Sequence, residues 1–416
     1  MRRSISFPLI PGPDIFRKLF VSWNFSHNHE KMSFSTPPAA LIPDHPGSKI
    51  VYIDYLKVLL TALVVAHHAF VTYGAPGGWY YSEKTSITSA IMAMTMFVAV
   101  NQSYFMGFFF FLSALFIPAS YKKKGAAVFI KDRFFRLGIP LLFYSFILAP
   151  VMNYLVYYYE GEHHITFMQF LSGYDGWISV GVLWFVVALL LFSLVYAGWK
   201  GIAKSAPDIW PMPAVKNILR LGAALAVVSF IVRLGFPVGW VLDPVGFQLG
   251  HFPQYIAVFM VGIAAAESKW LDQLNPDQYK PIKTIALCMI FIGFPIVYAI
   301  KIIFDNPLEW FSGGLHGEAA FYAFWEQITG VCIMVALLAY SKEHLNAPNA
   351  FLSKMSRCAF AVYILHPLVL IVLALLLRTW PVDPALKLVL VTPLGIVFSF
   401  LIGHIAIKIP GVNKVI

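Results

Sequence analysis

The chain has 416 residues, of which 59% are apolar and 16% aromatic, while only 12% are charged. A soluble chain averages about 25% charged residues and needs a polar surface whatever the size of its core. These proportions exclude a soluble globular protein, a disordered chain and a disulfide scaffold, and leave an all-α, polytopic membrane protein. The net charge of +10 comes without an interleaved basic–aromatic surface, so no nucleic acid partner is expected and the placement of the basic residues has to explain it.

Residues 1–50 are polar and Pro-rich, with no apolar stretch long enough for a signal peptide, and read as a disordered leader. Met32 is a second candidate start within it. A transmembrane domain over 51–410 follows. It holds ten apolar segments near the ~20 residues that a crossing helix needs, at roughly 53–73, 96–118, 138–159, 179–199, 217–236, 252–267, 284–304, 318–340, 357–377 and 385–408. The sixth is short, and the second can be extended back to Ile87. Pro150, Pro295, Pro367 and Pro393 fall inside segments and predict kinks. Cys288, Cys332 and Cys358 lie in or beside apolar runs without metal-ligand spacing, and read as buried thiols.

The basic residues sort by connection. The leader carries Arg2, Arg3, Arg17, Lys18, Lys31 and Lys49, and the second connection Lys122, Lys123, Lys124, Lys131, Arg133 and Arg136. The fourth, sixth and eighth carry Lys200, Lys204 and Lys216, then Lys269, Lys280 and Lys283, then Lys342 and Lys354. The odd-numbered connections hold little besides Lys84 and Arg378. By the positive-inside rule, both termini then face the cytoplasm of a multi-pass protein of a cell membrane, a bacterial inner membrane by expectation. The positive charge is a topology signal.

An ionisable side chain inside a span is costly, so each is a functional candidate. The first span, YIDYLKVLLTALVVAHHAF, holds Asp54, Lys57, His67 and His68. Lys57 and His68 are eleven residues apart, about three whole turns, and Asp54 lies one turn before Lys57, so the three share a stripe. His67 points about 80–100° away from it. His68 is therefore the sharper candidate for chemistry, against the alternative that both rings only hydrogen-bond between helices.

Arg133 and Arg136, three residues apart before Pro140, present guanidinium groups suited to phosphate or carboxylate, and equally suited to anchoring in anionic headgroups. Glu326 in the eighth span and His366, just before Pro367 in the ninth, lie at a depth similar to that of His68. Three such groups at one depth suggest a shared polar cavity, with structural hydrogen bonding as the alternative for each. His251, Glu318, His316 and His404 lie near span ends, within reach of water, and receive no role. Trp79, Tyr80 and Tyr81 in the first loop read as an interfacial aromatic belt, with sugar stacking as the alternative. No nucleophile elbow, phosphate-binding glycine loop or zinc helix is present, and the adjacent pairs His67–His68 and His163–His164 diverge on a helix, so no metal is expected.

In chain order, Asp54, Lys57 and His68, then FFFLSALF with Ser113, DRFFRLGIP with Arg133 and Arg136, LWFVVALL with Trp184, PQYIAVFMVGI with Tyr255 and Gly262, FWEQ with Glu326, and AVYILHP with Tyr363 and His366 resemble the acyltransferase 3 family of integral-membrane acyltransferases. The likeness spans about residues 50–408 and depends on ordered motifs throughout. Two positions depart from it: Lys57 stands where the first motif usually has arginine, and Val182 where a histidine often precedes the tryptophan. The first keeps the charge and loses the planar fork; the second suggests a subgroup with a different acceptor site.

The resemblance implies about ten membrane helices and transfer of an acyl group, often acetyl or succinyl, from an acyl-CoA donor that is not a resident cofactor. The acceptor is a hydroxyl of a carbohydrate, lipid or similar molecule. The family's histidine and Arg-x-x-Arg pair map onto His68, Arg133 and Arg136. The expected mechanism docks CoA phosphates on Arg133 and Arg136, with Lys57 guiding the arm and Asp54 as its charge partner. His68 is then base or transient acyl carrier, and Glu326, His366, Tyr363, Trp184 and Ser113 shape the substrate site. The rival reading is a proton-coupled secondary transporter using Glu326 and His366.

Overall fold

The computed structural model describes residues 50–203 and 209–415; the leader before Ile50, with Met32 and its basic residues, and Lys204 lie outside them. Among the described residues the chain is helical without a strand, apart from one isolated bridge between Leu242 and Phe247. Ten helical stretches are long and apolar enough to cross a membrane: α1 Val51–Thr72, α2 Thr88–Lys124, α3 Ala126–Tyr159, α4 Gly181–Ile202, α5 Val215–Arg233, α6 Leu249–Glu267, α7 Pro276–Ile303, α8 Gly317–His344, α9 Ala350–Leu377 and α10 Pro384–Ala406.

Several helices run further than their apolar cores. Hydropathy marks only the part that tolerates hydrocarbon, whereas backbone hydrogen bonding favours continuing the helix into the interface. Most changed is the link between α2 and α3, which shrinks to Gly125 at φ +73°. Lys122–Lys124 become the last turn of α2, and Lys131, Arg133 and Arg136 belong to the first turns of α3 rather than to a loop.

Three predicted or neighbouring prolines act by widening a turn. π-helical turns span Phe134–Gly138, Tyr144–Leu148 and Met289–Gly293, each ending two residues before Pro140, Pro150 or Pro295. Proline cannot donate to the carbonyl four residues back and crowds it, and a wider turn relieves both problems. Pro367 and Pro393 instead stay inside α9 and α10 without interruption. Helix α2 is also broken, at Ser103 and Tyr104, without a proline. There the Ser103 carbonyl accepts a hydrogen bond from Gln254 Nε2 of α6 at 2.8 Å, so the freed group finds a partner inside the bundle.

Contacts between connections define two faces. At one, here the distal face, Lys387 bonds Glu83 at 2.7 Å, Thr85 donates to Asp383 at 2.8 Å, and Val238 N–H donates to the Ser312 carbonyl at 2.8 Å. These tie together the odd-numbered connections. At the other, the proximal face, Tyr55 donates to Ala347 O and Lys342 to Leu271 O and Leu274 O, while Lys200 pairs with Glu267.

Helix α1 is central and packs on α2, α8, α9 and α10. The most apolar windows of α1 and α8 are each 67% buried, against 17% for α7, which turns its apolar surface outward. The two innermost helices carry His68 and Glu326. Cys332 and Cys358 are buried free thiols as expected, but Cys288 is exposed, because it sits on the outward-turned α7.

Candidate functional site

A chamber of ≈ 740 Å³ runs into the bundle from the distal face. Its mouth is lined by Gly77, Gly78, Gly239, Leu308 and Ser312 of the distal connections, and its inner wall includes His67, His68, Val182, Trp184, His251 and Tyr363.

Helical phase separates the two neighbouring histidines as the sequence predicts. The His67 ring lies flat on Phe105, with centroids 5.0 Å apart, and its Nδ1 is 3.2 Å from Asn101 Nδ2. His68 faces α9, where its Nδ1 lies 3.0 Å from His366 Nε2. His366 Nδ1 in turn lies 2.9 Å from the Tyr363 carbonyl. A carbonyl only accepts, so Nδ1 of His366 carries the proton and, in the neutral ring, Nε2 accepts. His68 must then donate from Nδ1, which leaves its Nε2 as a free lone pair. Tyr363 is itself held by its hydroxyl, which donates to the Val182 carbonyl.

The outer face of His68 is covered by Trp79, stacked at 4.1 Å and 15°. Trp79 is therefore no interfacial belt residue: its loop folds back into the bundle. The Glu83–Lys387 and Thr85–Asp383 bonds fasten that loop on one side, and the Tyr80–Tyr144 hydroxyl contact of 2.6 Å on the other. Burial pushes the Tyr80 phenol up to about 12, which keeps it protonated and able to donate. Gly181, at φ +47°, leads into α4 directly beneath: a Cβ there would meet the Tyr80 and Tyr144 hydroxyls at 2.5 and 2.6 Å. The turn sets Trp184 against Tyr255, stacked at 5.6 Å.

Glu326 does not join the histidine pair. It is buried in an ion pair with Arg233 of α5, lies 3.3 Å from His251 Nδ1 and accepts from Gln327 Nε2 at 3.1 Å. Arg233 also donates from Nε to Gly250 O at 3.1 Å. His251, left without a role by its place near a span end, is 3% exposed, and the start of α6 puts it in the chamber wall. Arg233 was absent from the sequence candidates. Its signal was available: an arginine at the distal end of a span runs against the distribution of positive charge.

Lys57, Arg133 and Arg136 lie at the proximal end, and none of the three lines the chamber. Asp54 and Lys57 form a 3.2 Å ion pair, and the ammonium sits 4.8 Å above the Phe116 ring. Arg133 stacks over Phe129, with its Nε buried and without a hydrogen-bond partner among the described residues. Arg136, inside the wide turn, is exposed and pairs with Asp132 at 3.2 Å, while Lys124 holds the other oxygen of Asp132 at 2.7 Å. Ser113 is half-buried on the proximal part of α2, away from the chamber lining.

Ten apolar helices around a polar inner site define a multi-pass membrane protein. The acyltransferase-domain model of the acyltransferase 3 family matches residues 50–404, and the chain belongs to that family. It is a membrane acyltransferase. No curated protein and no solved structure matches it.

Proposed function

We propose that the protein moves an acyl group, acetyl or succinyl, from acyl-CoA to a hydroxyl of a carbohydrate or lipid, with His68 as the general base. The distribution of Lys and Arg supports a proximal face and both termini in the cytoplasm, and the membrane of this proposal is a bacterial inner membrane. CoA phosphates dock at Arg133 and Arg136, whose guanidinium groups suit the bidentate geometry of a phosphate. The pantetheine arm passes Lys57, held by Asp54, toward His68, about 16 Å further along α1 at 1.5 Å per residue. The acceptor enters from the distal mouth and meets the thioester at the inner wall, between Trp184 and Tyr363.

His68 Nε2 takes the hydroxyl proton as the acceptor oxygen bonds to the acyl carbon. The C–S bond then breaks, and the departing thiolate receives that proton from His68. His366 keeps the His68 ring in the required tautomer, and membrane lipids surround the bundle. The observation that carries this reading is the hydrogen-bond chain from Tyr363 O through His366 to His68, which leaves one imidazole lone pair free on a chamber wall. The proton-carrier reading of Glu326 and His366 has less support, because the two sit in separate clusters and Glu326 is locked to Arg233. Purified protein supplied with acetyl-CoA or succinyl-CoA is expected to release free CoA thiol; no release from any acyl-CoA would refute the proposal.

A further inference from the structure

The distal half of the chamber contains a charge that the transfer chemistry does not use. Phe294, Val297, Tyr298 and Lys301 of α7 all line the cavity, and their i, i+3, i+4, i+7 spacing makes one helical stripe. Ile292, Ile296 and Ile303, on the opposite side of the same helix, are 58%, 46% and 73% exposed, so that side faces the hydrocarbon. Lys301 is therefore on the chamber face of α7, two residues from its distal end, rather than reaching outward from the lipid face.

Other set-in cations near the distal face are paired: Lys387 with Glu83, Arg378 with Glu162, and Arg233 with Glu326. Lys84 projects into solvent. Half-buried Lys301 alone has a chamber in front of it and, among the described residues, an ammonium with neither an ion pair nor a hydrogen bond. No carboxylate lines the chamber among those residues. An ammonium group that faces a cavity with no counter-charge beside it favours a ligand that brings an anion. The same chamber is lined by Trp184, Tyr298 and Tyr322 and by Gln102 and Gln248, aromatic and amide chemistry that holds a polyhydroxylated ring.

We propose that Lys301 anchors the acceptor, and that the acceptor is an acidic saccharide whose carboxylate or phosphate pairs with this ammonium while a hydroxyl reaches His68. The inference rests on the His68 reading and names the substrate class for the same chamber.

The test compares glycans and lipids, by mass spectrometry, from cells making wild-type protein or its His68→Ala, Lys301→Gln, Lys301→Arg or Lys301→Glu variant. Membrane level and monodisperse elution in detergent report folding. The species lost in His68→Ala is the product, and it is expected to be an acylated saccharide bearing carboxylate or phosphate. Its yield should fall roughly tenfold or more in Lys301→Gln, stay near wild type in Lys301→Arg and vanish in Lys301→Glu. A neutral saccharide, or a lipid without a sugar, as product overturns the assignment, as does an undiminished yield in Lys301→Gln. If Lys301→Gln fails to fold, the product's charge and the Arg-against-Glu contrast decide in the same way. Spectra unchanged by His68→Ala overturn the base assignment and this inference with it.

Discussion

Two polar clusters reach the chamber wall, and they are built on opposite principles. In the first, His68 and His366 share one hydrogen bond and leave a lone pair open. In the second, Glu326 and Arg233 are buried and paired with each other, with His251, Gln327 and Gly250 around them, while Arg233 Nη1 and Glu326 Oε1 lack a hydrogen-bond partner among the described residues. Depth in the membrane does not separate them. What separates them is charge pairing: the ion pair ties α5, α6 and α8 to one another, whereas an oriented imidazole with a free nitrogen on the chamber wall can accept a proton from a substrate.

The comparison breaks most readily at His68. Replacing it with alanine is expected to lower kcat for thioester turnover by about 10²–10⁴-fold, the usual contribution of a general base, with little change in thermal stability. The opposite pattern is expected for Glu326→Ala, which leaves Arg233 buried without a counter-charge and costs about 3–5 kcal/mol of stability. A melting curve in detergent would record that loss, and the double variant Arg233→Met/Glu326→Leu should recover much of it. Full stability with abolished turnover in Glu326→Ala would instead make the second cluster catalytic.

His366→Phe sharpens the contrast, because it keeps a flat ring but removes the acceptor for His68 Nδ1–H. A fall in kcat of roughly 10–100-fold with KM nearly unchanged is expected from the lost orientation of His68. Smallest is the effect at the proximal end: Arg133→Ala should raise the KM for acyl-CoA about tenfold, one charge-assisted hydrogen bond, without altering kcat. Arg136→Ala should matter less, since its guanidinium is already engaged by Asp132. Donor titrations on the two variants would reveal whether that order is reversed.

Much of this architecture is legible in the residues. The ten spans follow from hydropathy, and the separation of His67 from His68 follows from a 100° step per residue, with no tertiary information. The Asp54–Lys57 pair is likewise local. What could not be read depends on distant partners. Trp79 covers His68 only because Glu83 and Asp383, one on either side of a long sequence gap, fasten its loop to the start of α10. Glu326 finds Arg233 across 93 residues, which no periodicity encodes. The prolines announced distortion, but not its form: the wide turn Phe134–Gly138 begins just after Arg133 and contains Arg136. His251 received no role because it lies near a span end, while the start of α6 sets it in the chamber wall.

The central claim is most directly tested by two adjacent residues in one assay, initial rates of CoA release by His67→Ala and His68→Ala at saturating acyl-CoA. His67 is engaged by Asn101 and Phe105, so its variant should retain turnover within about twofold of wild type, while the His68 variant falls by about two orders of magnitude or more. Equal rates in the two variants, or a larger loss at His67, would contradict the account.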